Sequence, residues 1–457
     1  MPHHDAAALV LAAGKGTRMH SDKPKVLHTL LNEPMLGYVF AALEPLFGPA
    51  VLTVVGFGAD QVRRAYPGRE ATFVTQTEQL GTGHALQTAL GALRKLGRTH
   101  CLVVNGDTPL LESDAVERFL AESAGADVAF ATITPEHPGA FGRVIRDADD
   151  RVTAIVEAKD LDPAKHGDPR EVNAGVYFLR LETVTPLLDR LTNANKSGEY
   201  YITDLIGLAR EAGLSVEGVR CGDDVNLMGI NSPLELAEAE EHLRRRILRG
   251  WQVRGVLIHR PELVSVGPGV KLEPGCELRG PCELYGTTSV ARGAKVGSHC
   301  VLTDSSVAEN ALVREFCHLE QAQVGPECQV GPYARLRPGA VLEQAARVGN
   351  FVEMKKATLR KGAKANHLTY LGDAEVGEKA NVGAGTITCN YDGKNKFRTE
   401  IGAGAFIGSN TALVAPVTVG ENALVGAGSV ITKDVPAGEL AIARGRQTNM
   451  KRRNKAS

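Results

Sequence analysis

A short apolar run ends in Leu11, Ala12 and Ala13 and passes into Gly14, Lys15, Gly16, Thr17, Arg18 and Met19, and Lys23, Pro24 and Lys25 come a few residues later. A glycine-rich turn at a strand end offers backbone N–H groups to a phosphate, and Lys15 and Arg18 add positive charge. The turn is neither a dinucleotide fingerprint, because Met19 stands where a third glycine should, nor a Walker motif. Far along the chain a second group stands out. Arg335, Arg337, Asn350, Glu353, Lys355, Lys356, Asn366, His367, Tyr370 and Asp373 put charged and hydrogen-bonding groups at outward positions of a repeat that does not need them. Turn-forming residues from Asn390 to Lys396 then read as a loop, where function tends to sit.

Two kinds of element must position these groups. The chain has 457 residues, enough for about three average domains. Its first half alternates short apolar runs (Ala7–Ala13, Val51–Val55, Cys101–Val104) with helical patterns such as Met35–Leu46 and His84–Leu96. Buried strands alternating with helices imply βαβ units and a mainly parallel sheet covered on both faces, with ligands at the carboxyl ends of the strands. A last helix starts at Ser232, Pro233 and Glu235, which together form a capping box, and runs through a charged stretch to Arg249.

Beyond residue 255 the period becomes six. Val, Ile or Leu recurs at 266, 272, 278, 284, 290, 296 and 302, then, after five-residue steps, at 307, 313 and 319 and from 324 to 348. The phase passes through Met354 to 359, Ala365 and 371, then 376, 382 and Thr388, breaks over 389–400, and returns from 401 to 431. Four places on from the aliphatic stands a small residue, including Cys276, Cys282, Ala294, Cys300, Cys317, Cys328 and Ala334. This is a hexapeptide β-helix, with three short strands to a triangular coil and one aliphatic pointing inward from each face. About nine coils stacked at ~4.8 Å are expected. The cysteines at the small positions are structural, and none of the 8 in the chain forms a C-x-x-C pair.

Composition narrows the function. Lys+Arg at 52 against Asp+Glu at 53 leaves no basic field for nucleic acid or an anionic membrane. No apolar run approaches the ~20 residues of a membrane span, and the start of the chain lacks a basic signal-peptide region, so the cytoplasm is the expected compartment.

Taken together, the Gly14–Lys25 region resembles the nucleotidyltransferases that couple a sugar 1-phosphate to a nucleoside triphosphate. Gln76, Gly81 and Thr82, then Asn105, Gly106 and Asp107, Gly142, Glu157, Asn173 and Asn231 extend the resemblance. It implies a Rossmann-like α/β domain in which Asp107 and Asn231 hold Mg2+ and Arg18 and Lys25 screen the phosphates. Glu157 and Asn173 would read the sugar, and Leu11, Ala12, Ala13 and Gly14 would help to bind UTP or the UDP-sugar with the residues just named. Asn105 departs from the aromatic residue common in that family.

With the C-terminal residues added, the chain is similar, over roughly residues 7–446, to the family of bifunctional bacterial enzymes that join glucosamine-1-phosphate N-acetyltransferase to N-acetylglucosamine-1-phosphate uridyltransferase. That resemblance implies a left-handed parallel β-helix packed as a homotrimer, with acetyl-CoA, glucosamine 1-phosphate and UTP as substrates. His367 becomes the expected general base, since imidazole titrates near working pH. Arg337 and Lys355 match phosphate-binding positions, Tyr370 and Asn381 sugar-binding ones. Asn390 and Tyr391 match supporting residues near the acyl donor, and Ala384, Ser409, Ala427 and Arg444 match acetyl-CoA contacts. Asn366 departs from the small residue usual before the histidine. The expected domains are 1–231 (nucleotidyltransferase), 232–252 (linker helix) and 253–457 (acetyltransferase). Two rivals remain at this level: a single-activity nucleotidyltransferase whose β-helix only regulates or oligomerises, and a non-catalytic exchange-factor scaffold.

Overall fold

The computed structural model describes residues 5–167, 169–222 and 225–451, and the chain divides into two compact units, Met1–Leu243 and Arg244–Ser457.

In the first unit the main sheet runs, strand by strand, Val216–Arg220, Val128–Ile133, Val172–Arg180, His100–Asn105, Ala6–Ala12, Val51–Val55 and Phe73–Thr75. All neighbours are parallel except Val172–Arg180, which is antiparallel to both of its partners. The first strand is buried on both sides. Ala8, Val10 and Ala12 pack with Leu36, Val39 and Leu43 of the helix Met35–Phe47, while Ala7 and Leu9 pack with Leu86, Ala89 and Leu93 of the helix Thr82–Lys95. Double burial is why these strands read as continuous apolar runs rather than alternating ones. It also leaves only the strand ends open to polar chemistry.

The helix Pro233–Val253 begins as its sequence indicates: Ser232 Oγ accepts from the Glu235 N–H at 3.2 Å. The Glu235 carboxylate accepts in turn from the Asn231 N–H at 2.8 Å, so the cap reaches one residue further back than the usual box.

The second unit is the β-helix. Strands on one side form an 11-stranded parallel sheet, and the other two sides share a 17-stranded sheet. Every aliphatic of the six-residue phase from Val266 to Ile431, together with Met354, Ala365 and Thr388, is buried, as are the small residues Cys276, Cys282, Cys300, Cys317 and Cys328. The phase accounts for about nine coils, and the structure adds strands at Leu257–His259 and Leu440–Ala441, which lie outside it. Each end is where a coil need not match a neighbour on both sides, so the repeat relaxes there.

The corners explain the five-residue steps. Within a six-residue step the left-handed residue stands three places beyond the inward aliphatic that opens it, as at His299, Asn310, Phe316 and Tyr333. Within a five-residue step it stands two places beyond, as at Asp304, Gln321, Lys356 and Asp373. The missing residue is therefore taken from the corner, and inward partners such as Leu302 and Leu319 stay in register. At one corner the left-handed residues stack as rings: His299 on Phe316, Phe316 on Tyr333 and Tyr333 on Phe351, with centroids 4.5, 4.8 and 5.2 Å apart.

Among the described residues, no helix is long and apolar enough to cross a membrane.

The coil core generates a test on adjacent residues. Leu302→Ala empties a fully buried inward site and should cost about 2–5 kcal/mol, whereas the outward neighbour Val301→Ala should stay within about 1 kcal/mol. Chemical denaturation followed by circular dichroism measures both, and equal losses would contradict the inward–outward assignment.

Candidate active sites

In the first unit, the loops that follow Ala12, Val55, Thr75 and Asn105 all lie at carboxyl ends of parallel strands, as this sheet type requires for ligand binding. Their backbones interlock. The Gly106 N–H donates to Leu11 O at 2.9 Å, the Phe57 N–H to Ala13 O at 3.0 Å and the Gln76 N–H to Val55 O at 2.8 Å. Gly16 adopts a left-handed φ of 65°, and a Cβ there would come within 2.7 Å of the Lys25 Cβ, so glycine lets the lysine pass beneath the loop.

A cavity of about 190 Å³ opens beside these loops, lined by Arg18, Asn105, Asp107, Gly142, Glu157, Asn173 and Asn231 among others. Lys25 reaches its edge, where the ammonium binds Asp107 Oδ2 and donates to Asn231 Oδ1 at 2.7 Å. The Asn231 Nδ2 donates to Gly229 O at 3.0 Å, which turns the amide oxygen toward the lysine. Among the described residues Asp107 Oδ1 is buried without a hydrogen-bond partner, and a Cβ on Gly229 would stand 2.9 Å from it. A carboxylate oxygen left bare beside an amide oxygen is a donor pair that fits a hard divalent cation. Among the described residues no group of three or more His, Cys, Asp or Glu could hold a metal.

The sugar-reading candidates are also held in place. Asn173 accepts from the Gly175 N–H at 3.0 Å and donates to the Tyr177 hydroxyl at 2.6 Å. Burial pushes the Glu157 carboxyl above its ordinary range, with Asp204, Asp160 and Glu199 nearby adding to the effect, while the Thr203 hydroxyl, donating at 3.1 Å, opposes it. Gln76 and Thr82 do not line the cavity. Gln76 donates to Gly81 O at 3.2 Å, and Thr82 Oγ1 accepts from the Ile202 N–H at 3.1 Å, so both shape the 76–82 loop.

In the second unit the parallel register sets out a column. Asn350 pairs with His367, and two residues beyond the pairs Ala365–Val382, Val382–Ile407 and Ile407–Val425 come Ala384, Ser409 and Ala427. His367, Ala384, Ser409 and Ala427 thus stand on successive coils at one corner, and Arg444 Nη1 closes the top by donating to Ala427 O at 2.5 Å. On the neighbouring track the stacked rings end at Leu368 and give way to Gly385, Asn410 and Gly428. The apolar ridge ends there, and a Cβ on Gly385 would collide with Asn410 Oδ1, so the Asn410 side chain occupies the space beside the glycine.

Around the next corner the cations gather. Lys355 is held below its ordinary range by Lys396 first and then Arg337, and Arg337 also pairs with Glu353 at 2.8 Å. Asn390 is buried and donates to Asp373 Oδ2 at 2.5 Å, and a Cβ on Gly372 would collide with both the Tyr370 hydroxyl and the Asn390 amide. Tyr391 is exposed, its hydroxyl donating to Gly393 O at 2.6 Å within a loop closed by a Tyr391–Lys396 bridge. Asn381 pairs in register with Lys364 and Phe406, and among the described residues no hydrogen bond joins its side chain to the other candidates. Three residues emerge that sequence reasoning assigned no role: Lys396, Asp373 and Asn350. All three stand in motifs already singled out, and their polar character at outward positions was the available signal.

Residues 8–164 match the family model described as the MobA-like NTP transferase domain, and residues 398–433 match the bacterial transferase hexapeptide (six repeats). Over the whole chain the similarity is closer. Bifunctional protein GlmU of Nitratidesulfovibrio vulgaris strain DP4 is 63% identical over 450 residues, covering 98% of this chain and 99% of its own. The corresponding protein of Oleidesulfovibrio alaskensis is 59% identical over 452 residues, covering 98% of each chain. That of Lawsonia intracellularis is 46% identical over 449 residues, again covering 98% of each. With identities of this size over nearly the whole of each chain, the chain belongs to the GlmU family of bifunctional proteins.

Proposed function

We propose that this chain catalyses two successive transfers. The second unit moves the acetyl group of acetyl-CoA to the amine of glucosamine 1-phosphate, and the first unit then moves UMP from UTP to the resulting N-acetylglucosamine 1-phosphate, releasing pyrophosphate. One observation carries the reading: a single chain holds an anion-accepting cavity at parallel strand ends and, in a separate unit, an imidazole at the foot of a column of small residues.

For uridyl transfer, negative groups must be brought together and aligned for in-line attack of the sugar phosphate oxygen on the α-phosphorus. The loop from Leu11 to Gly14, with Gly106, supplies backbone N–H groups, and Arg18 and Lys25 supply positive charge to the phosphates. Glu157 and Asn173 hold the sugar through hydroxyl and amide hydrogen bonds. Asp107 and Asn231 would hold Mg2+, which when bound supplies charge neutralisation at the phosphate oxygens. Lys25 keeps those two oxygens together in the meantime by offering its ammonium to both.

For acetyl transfer, Arg337, Lys355 and Lys396 form the cationic cluster that takes the sugar phosphate. Tyr370 and Asn381 contact the sugar, with Asn390 and Asp373 bracing the tyrosine's side of the site. His367 accepts a proton from the amine as its nitrogen attacks the thioester carbonyl, after which the C–S bond breaks and CoA leaves as the thiolate. Ala384, Ser409 and Ala427 let the acyl donor lie close to the coil, with Arg444 and Tyr391 at its edges.

We assign the working form as a homotrimer in the cytoplasm, where both acyl and nucleotide donors are found. The support for self-association is the column of exposed apolar side chains (Phe316, Tyr333, Phe351 and Leu368, 44–62% exposed) along the corner that leads to His367.

Three outcomes test these assignments. His367→Ala should abolish acetyl transfer and spare uridyl transfer, and Asp107→Ala should do the reverse; assays of CoA and pyrophosphate release separate them, and loss of both from either change contradicts two sites. Lys25→Met should raise the affinity for Mn2+ several-fold in nucleotide-free protein, measured by electron paramagnetic resonance, because no ammonium competes for Asp107 and Asn231; unchanged affinity contradicts the shared position. Sedimentation at working concentration should give a trimer, and a monomer alone contradicts the self-association.

A further inference from the structure

Asn350 and His367 face one another across adjacent coils, with Asn350 Oδ1 2.9 Å from His367 Nδ1. A carboxamide oxygen only accepts, so the partner nitrogen must carry the hydrogen. The remaining nitrogen, Nε2, is then the one with a free lone pair. From this we infer that Asn350 is a positioning residue for acetyl transfer, holding His367 in the tautomer whose Nε2 receives the amine proton. The inference rests on the reading of His367 as the base and deepens it.

The contact is built into the coil rather than left to two mobile side chains. The Leu368 N–H donates to Asn350 O at 3.1 Å, and the Phe351 N–H donates to Tyr333 O at 3.1 Å, so both residues are pinned by the backbone ladder. Phe351 also stacks on Tyr333, and Phe351 and Leu368 share the same left-handed corner geometry, with φ of 57° and 48°. Consecutive coils therefore repeat the same bend about one strand spacing, ~4.8 Å, apart, the distance a short amide spans to an imidazole. The rest of the column offers no equivalent. Ala384, Ser409 and Ala427 lie above, and two residues beyond the Val330–Val348 pair the position below Asn350 is Pro332. One amide stands under one imidazole.

An amide suits this task because it does not titrate. A carboxylate in its place would also select the tautomer, but it would stabilise the imidazolium and move the base's working range to higher pH. Of the charged groups near His367, Lys364 lies on its own strand and Arg347 on the strand of Asn350, a register pair three residues before His367 and Asn350; the strand on the other side, Asn381–Val382, carries none, and the adjoining face brings Glu353 and Tyr370.

The test is the pH dependence of acetyl transfer in the full-length chain with Asn350→Ala, Asn350→Asp and His367→Ala. Asn350→Ala should lower kcat at least about tenfold while leaving the KM for acetyl-CoA within about twofold. Asn350→Asp, nearly isosteric, should keep acetyl-CoA binding and shift the acid limb of the profile to higher pH. Wild-type kcat in Asn350→Ala together with an unmoved acid limb in Asn350→Asp overturns the inference while leaving His367 as the base. If Asn350→Ala proves unfolded by circular dichroism, the acid limb of Asn350→Asp decides alone. Full acetyl transfer in His367→Ala overturns the reading beneath it.

Discussion

The hydrogen-bond ladder between coils of the β-helix is the constraint on which the second unit depends. Each backbone group bonds to its equivalent one coil away, so a side chain cannot drift along the axis without breaking the pairing of its whole strand. Inside the coil this forces aliphatics to stack on aliphatics, which is why one substituted polar residue, Thr388, is satisfied internally by accepting from the Gly372 N–H at 2.8 Å. Outside, the same ladder turns sequence distance into vertical position. Residues seventeen or more apart become neighbours, and a column such as Asn350, His367, Ala384, Ser409 and Ala427 acquires a fixed spacing without any dedicated scaffold.

The first unit solves a different problem, the gathering of negative charge. Its central strands are buried on both faces and largely apolar, so donors and cations collect toward the strand ends. Glycine is used there where backbones or charged groups must come close: Gly16 under Lys25 and Gly229 against Asp107. The Lys25 ammonium between Asp107 and Asn231 keeps two oxygens together that would otherwise be costly to hold side by side. The Asn231 side chain, its Nδ2 tied to Gly229 and to Glu235 of the following helix, holds its amide oxygen in a fixed direction.

Much of this is legible in the sequence. Every aliphatic of the six-residue phase from Val266 to Ile431 is buried, and the small residues behind it accounted for the buried cysteines of the coil, while Val270, Val352, Val417 and Thr399 are buried outside that phase. The βαβ reading located the strand-end loops and the capped helix after Asn231. What stayed hidden depended on contacts between coils. The terminal strands at Leu257–His259 and Leu440–Ala441 fall out of phase because an end coil has one neighbour only. The pairing of Asn350 with His367 and the approach of Lys396 to Lys355 depend on how many residues each corner consumes, and a one-residue difference at a corner decides which outward groups align. The backward reach of Glu235 to Asn231 was hidden for a similar reason, since the capping pattern predicts its partner one residue later.

Two transfers in series make one demand that neither site makes alone, namely that the amide forms before the nucleotide is attached. The direct measurement is mass spectrometry of incubations containing glucosamine 1-phosphate, acetyl-CoA, UTP and Mg2+, with each reagent omitted in turn. The account predicts that N-acetylglucosamine 1-phosphate accumulates when UTP or Mg2+ is left out, and that UDP-N-acetylglucosamine forms only in the complete mixture. Uridylated product in the presence of N-acetylglucosamine 1-phosphate and UTP, with no acetylated sugar phosphate from glucosamine 1-phosphate under any omission, would contradict it.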